Sequence, residues 1–132
     1  MPPPASEQWL CSTASTLQST LPVLVGARTK IVGDHRSDAL LAAVAVRDQV
    51  DGIPGLQGTV AADLQPLVTA GNAAAIAQAQ AAEFIAGGGF QLQSPTPREL
   101  ADLDEAIAVA DNATKTFSGA LQGAIDRGVI SC

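Results

Sequence analysis

The chain predicts an all-α fold: an up-and-down helical bundle of five to six helices that ends in one long helix. Three observations carry that expectation. Apolar residues recur at alternating spacings of three and four along most of the sequence, the period of a helix with one buried face. Gly and Pro clusters punctuate the pattern at short intervals, as at Gly33, Asp51-Gly52-Ile53-Pro54-Gly55 and Gly87-Gly88-Gly89. Only Phe90-Gln91-Leu92-Gln93 alternates as a strand would, and no second alternating segment exists to pair with it, so it reads as an extended connector.

Taken in order, Met1 to Ala5 holds three consecutive prolines and reads as an extended arm. Ser6 offers a cap, and Leu10, Ala14, Leu17 and Leu21 carry a first helix from about Glu7 to Thr20. Pro22 should kink or restart it, and Val23, Leu24, Val25, Ala27 and Ile31 continue an apolar face to Gly33. Ser37 is placed to cap the next helix, built on Leu40, Leu41, Val44 and Arg47 to Val50. Thr59 then caps a segment sharing Val60, Leu64, Leu67 and Val68, which Pro66 should bend. Gly71-Asn72 is expected to separate that segment from the Ala-rich run Ala73 to Ala86.

The last element has the fullest signature. Thr96-Pro97-Arg98-Glu99 supplies a capping residue, a proline at the first helical position and a glutamate at the third. Leu100, Leu103, Ile107, Ala110, Thr114, Phe117, Leu121 and Ala124 then form one seam until Gly128 stops it, roughly 45 Å of helix at 1.5 Å per residue. Such a helix is not stable alone in water, so the earlier segments must cover its seam.

Composition narrows both fold and function. A chain of 132 residues makes a single domain, 1–132, with a core of its own. Hydrophobic residues reach 47% but aromatics only 3%, so the core is aliphatic and small, and helices can approach closely. A net charge of −6 and no sizeable Lys/Arg cluster argue against nucleic acid and against an anionic membrane surface. No apolar run nears the roughly 18 residues of a transmembrane segment. No basic and apolar signal segment opens the sequence, which leaves a cytosolic protein or one whose leader is absent here.

The two cysteines bear on that choice. Cys11 lies early in the first helical pattern and Cys132 lies four residues past Gly128. If the first and last helices are antiparallel neighbours, the sulfurs meet and close a loop worth about 4–5 kcal/mol in the chain-entropy model. That disulfide favours an oxidising, extracellular setting.

Candidate chemistry is sparse. His35 is the only histidine, flanked by Asp34, Arg36 and Asp38, but no cysteine or Gly-rich calcium loop accompanies it, and a solvated turn explains it. Glu99, Asp102, Asp104 and Glu105 gather at the start of the long helix, where they complement its dipole; a straight helix cannot wrap them round one cation. Ser12, Ser15 and Ser19 have no histidine near in sequence and no Gly-x-Ser-x-Gly occurs. Gly87 to Gly89 lacks the lysine and hydroxyl of a phosphate loop and reads as a linker. No catalytic residue, metal site or cofactor is therefore expected. Arg28, Lys30 and Arg36 hold three of the seven positive charges within one short stretch. Arg28 and Lys30 could receive the head group of an amphiphile, or the stretch could pair with Asp34 and Asp38. Thr114, core-facing between Ala110 and Phe117, either bonds its own backbone four residues back or anchors a polar atom in an apolar cavity.

An acidic helical domain rich in Ala, Leu, Thr and Ser and poor in aromatics resembles the fungal hydrophobic-surface-binding and cell-wall galactomannoprotein group. The most similar stretches are Ser37 to Val50 and Leu100 to Ile125. The resemblance implies a secreted or cell-wall bundle that holds a fatty acid or similar lipid between its helices, or adsorbs to hydrophobic surfaces, without catalysis. The residues are compatible with a tunnel lined by Leu41, Val44, Leu64, Phe84, Ile107 and Phe117, with Thr114 beside it; a fully packed core is the alternative. A monomer that binds a small apolar ligand is thus one expectation. A secreted effector or inhibitor acting through its surface is the other.

Overall fold

The computed structural model describes residues 5–56, 60–90 and 93–132. Met1 to Pro4 of the expected arm, the Thr59 cap, and Gln91 and Leu92 of the connector lie outside the described residues; Ala5 already begins a helix. Four helices account for the described structure: α1 (Ala5–Lys30), α2 (Arg36–Asp51), α3 (Gln65–Gly87) and α4 (Pro97–Asp126). The all-α expectation holds, and the count of five to six does not.

Two breaks read from the sequence are overridden. Pro22 sits inside α1 without ending it. An interior proline costs a helix about 3 kcal/mol, but the buried stripe Trp9, Leu10, Thr13, Ala14, Leu17, Thr20, Leu24 and Ala27 runs through it and holds both halves against the core. Gly71-Asn72 likewise lies within α3. Gly71 is buried where three helices meet: a Cβ there would stand 3.1 Å from Phe117 Cε1 and Cζ and 3.2 Å from Trp9 Cη2. Pro66 does not bend the segment, because it occupies the first turn of α3, where a missing amide hydrogen costs nothing.

The ends of α2 and α4 differ in how much side chains define them. His35, not Ser37, is the N-cap of α2, and it makes no side-chain capping bond. At α4 the capping box is complete: Thr96 Oγ1 accepts from the Glu99 amide at 3.1 Å and Glu99 Oε1 accepts from the Thr96 amide at 2.9 Å. Arg127 caps its other end and Gly128 takes φ +74°, the left-handed turn that releases the chain.

Neighbouring helices are antiparallel. Arg28 meets Asp104 while Gln18 meets Ser118, so α1 and α4 run in opposite senses. Arg47 meets Glu83 while Arg36 meets Ser94, which sets α2 against the second half of α3. α1 and α3 touch across the diagonal, whereas α2 and α4 do not touch. This is an up-and-down bundle with one short diagonal. Ala74, Ala77, Ala81 and Gly71 of α3 are buried and supply the small surface that the close approach of α1 requires. The connector between α2 and α3 is held to α1 by Trp9, whose Nε1–H donates to the Pro54 carbonyl at 2.7 Å.

At the centre lies a polar side chain. Gln78 has no solvent exposure, yet its amide is fully engaged. Nε2 donates to the Leu17 carbonyl at 3.0 Å and to Thr114 Oγ1 at 2.9 Å. Oε1 accepts from the Thr20 hydroxyl. Among the described residues no buried side-chain nitrogen or oxygen lacks a partner. Thr114 is therefore neither a cavity anchor nor defined by a bond to its own helix: it is α4's acceptor for α3.

The antiparallel pairing of α1 and α4 also brings Cys11 and Cys132 together, with Cα atoms 5.7 Å apart and the sulfurs bonded. The disulfide inferred from cysteine position is present.

Two expectations test this packing. Thr114→Val keeps the shape but strands an N–H of Gln78, and should cost about 1–3 kcal/mol in urea unfolding. Gly71→Val forces two rings apart and should cost about 1–3 kcal/mol by the same measurement, despite removing a helix-interior glycine.

Candidate functional site

The residues expected to line a tunnel do not converge on one space. Leu41 is 70% exposed on the outer face of α2, and Val44 is half-buried beside it in sequence order on the same helix. The buried stripe of α2 is Ala39, Ala43, Val46 and Val50. Small residues face inward because α2 packs on both α1 and α3, and the larger leucine is left outside. Leu64 and Phe117 are buried, while Phe84 and Ile107 are half-buried on α3 and α4. Phe117 fills the space over Gly71.

The proposed head-group cations are placed differently too. Arg28 grips Asp104 with two hydrogen bonds, Nε to Oδ1 at 2.6 Å and Nη2 to Oδ2 at 3.2 Å. Lys30 is exposed at the end of α1. Of the acidic group at the start of α4, Asp104 serves that pair and Glu99 the capping box. His35 is exposed and stands 3.6 Å from Asp38. Among the described residues no three His, Cys, Asp or Glu side chains gather in a way that could hold a metal ion.

Concavity is instead found on the surface: two clefts lie along the α3/α4 pair, and smaller recesses lie between α1 and α4 and between α2 and α3. The larger cleft, about 540 Å³, lies between the start of α3 and the end of α4. Pro66 and Leu67 form one wall, Gly119, Ala120, Gly123 and Ala124 another, and Val129 closes the end; Asp63 and Arg127 stand at the polar edge. Arg127 takes part in no ion pair among the described residues. At the opposite end of the same helix pair a second cleft of about 420 Å³ is lined by Gln80, Glu83, Phe84, Gly87, Gly88, Phe90 and Glu99. Phe84 and Phe90 stack there with ring centroids 6.2 Å apart, and Phe90 is buried. Arg47 bonds Glu83 at 2.9 Å at this rim, which raises the guanidinium pKa.

Sequence reading missed Pro66, Leu67, Ala120, Gly123, Arg127 and Val129 as a group. One signal was present: Gly119, Ala120 and Gly123 place small side chains outside the predicted seam, about one turn before a basic residue, Arg127. Small residues on an outer face make a recess when a neighbouring helix supplies a second wall.

The larger cleft depends on the segment that follows α4. Val129 is kept close by its amide donating to the Ala124 carbonyl at 2.9 Å, and Gly128 donates to the Ile125 carbonyl at 3.0 Å. Ile130 is buried. Ordering each backbone residue costs about 1–2 kcal/mol, whereas burying one isoleucine returns about 1.5–3 kcal/mol. Val129 has its amide bond to α4, and the residues beyond it are restrained further by the bond from Cys132 to Cys11.

The Arg28 pair has a readable pH signature. Its hydrogen bonds hold the Asp104 carboxyl below its ordinary pKa. The stabilisation is thus present above the ordinary carboxylate range and is lost as pH falls through the lowered pKa. The expected result is a higher urea midpoint for the wild type than for Asp104→Asn at neutral pH, with the two curves merging in strong acid.

A scan against protein-family models finds none that matches this chain, and searches of the curated proteins and of the solved structures find no match.

Proposed function

We propose that this chain is a secreted, non-catalytic binding protein for a small apolar ligand, a fatty acid or similar lipid, taken up in the cleft between α3 and α4. The observation that carries the reading is the cleft itself. Its volume of about 540 Å³ lies in the usual range for small-molecule sites, roughly 300–1,000 Å³, and its lining is mainly apolar with few polar groups. Pro66, Leu67, Ala120, Ala124 and Val129 offer the chain contacts, and Arg127 stands where a carboxylate would emerge. The disulfide supports export to an oxidising compartment. Among the described residues no helix is long and apolar enough to cross a membrane. The resemblance to the fungal surface-binding group extends the reading to hydrophobic surfaces and the cell wall.

A second reading, an effector or inhibitor that binds another protein, draws on Leu41, a large aliphatic side chain left open on α2. The two readings part on one variant. Ala120 is exposed on α4, so Ala120→Leu fills the cleft with a good helix former and should leave the melting temperature nearly unchanged. Calorimetric titration with dodecanoate should show binding to the wild type and none to Ala120→Leu. Binding that survives this change, or that is lost instead in Leu41→Ser, sets aside the cleft.

A further inference from the structure

We infer that the Cys11–Cys132 disulfide is what completes the binding cleft, so that ligand uptake is a property of the oxidised protein alone; this rests on reading the α3/α4 cleft as the binding site. Val129 forms one end of that cleft. It belongs to a strap, residues 128–132, that leaves α4 at the left-handed Gly128 and carries no helix or strand; its first two residues bond back to α4 through the Ile125 and Ala124 carbonyls, Ile130 is buried, and its end is fixed to α1 by the disulfide, beside which Cys11 Sγ lies 3.9 Å from the Ser131 carbonyl oxygen. The helices have their own support: Gln78 ties α1, α3 and α4 through buried hydrogen bonds that do not involve the strap. Breaking the sulfur bond therefore leaves Val129 held to α4 by its single amide bond to the Ala124 carbonyl, so the cleft wall loosens with the rest of the strap while the bundle stays folded.

The bond is chemically accessible. Cys132 is exposed, Cys11 is half-buried, and an open recess lined by Ser15, Gln18, Ser118 and Gln122 lies beside both. A dithiol reductant opens it in two exchange steps. One thiolate attacks a sulfur of the bond to give a mixed disulfide, and the second thiol closes the reagent to a cyclic disulfide, leaving thiols at Cys11 and Cys132; the dithiol supplies both electrons and both protons. The reverse exchange with a disulfide oxidant restores the strap. A chain made in a reducing compartment would then acquire its binding capacity on export.

The experiment compares three forms: oxidised protein, protein reduced with dithiothreitol, and the Cys11→Ser/Cys132→Ser double variant. Each is titrated with dodecanoate by calorimetry and followed by hydrogen exchange and circular dichroism. When the competent state is populated a tenth of the time, apparent affinity falls about tenfold. The expected result is a loss of about tenfold or more in both reduced forms, with protection lost at residues 128–132 and retained in α3 and α4. Equal affinity in all three forms overturns the inference and leaves the binding reading standing. Reduction that unfolds the helices together with the strap also overturns it, because the bond is then a staple for the whole bundle. Absence of binding in every form removes the cleft reading, and the inference with it.

Discussion

Gln78 sets the arrangement on which the other contacts depend. A buried primary amide has two donors and an acceptor, and leaving one unpaired costs more than an average hydrogen bond returns. Here all three sites are used, by a main-chain carbonyl and a hydroxyl on α1 and a hydroxyl on α4. Sliding either helix by one residue would strand at least one of these groups. Aliphatic side chains alone tolerate such slides, because Ala, Leu and Val contacts are non-directional. The amide thus gives a small, uniform core a single register. The glycine at position 71 performs the complementary task, letting Trp9 and Phe117 meet over α3 where any side chain would hold them apart.

The same smallness explains where recesses form. Ala39, Ala43, Ala74, Ala81, Ala82, Ala110 and Ala124 are fully or nearly fully buried, so helices lie close together, and the larger buried side chains, Phe117, Leu10, Leu17, Leu24 and Leu103 among them, occupy the space between. The larger cleft lies where α4 carries small residues, Gly119, Ala120 and Gly123, beside Pro66 and Leu67 at the start of α3. The cations follow a similar division. Arg28, Arg47 and Lys115 are committed to Asp104, Glu83 and Asp111, pairs on the surface whose individual contribution is small. Arg127, at the cleft edge, takes part in no ion pair among the described residues.

The disulfide joins these two themes. It links the first helix to the segment after the last, closing a loop across a sequence separation of 121, and it also anchors the short stretch that walls the cleft. Its effect on the unfolded chain is global, whereas its effect on the folded chain is local. A bundle already registered by Gln78 has less need of the bond than the strap has.

Much of this was legible locally. The capping box at Thr96 and Glu99, the seam from Leu103 to Ala124 and the stop at Gly128 are properties of one segment, and α4 forms as its sequence specifies. The pairing of Cys11 with Cys132 followed once the first and last helices were taken as antiparallel neighbours. Tertiary structure decided the rest. Pro22 and Gly71-Asn72 are strong breakers in an isolated peptide, but continuous burial on both sides outweighs their local cost, and so there are four helices rather than five or six. Leu41 lost its inward place to Ala39 and Ala43 because the distance between helices, which no single segment encodes, favours the smaller side chain. Arg127 gained a role that periodicity could not assign, since a cleft exists only where two helices and a strap, distant in sequence, supply its walls together.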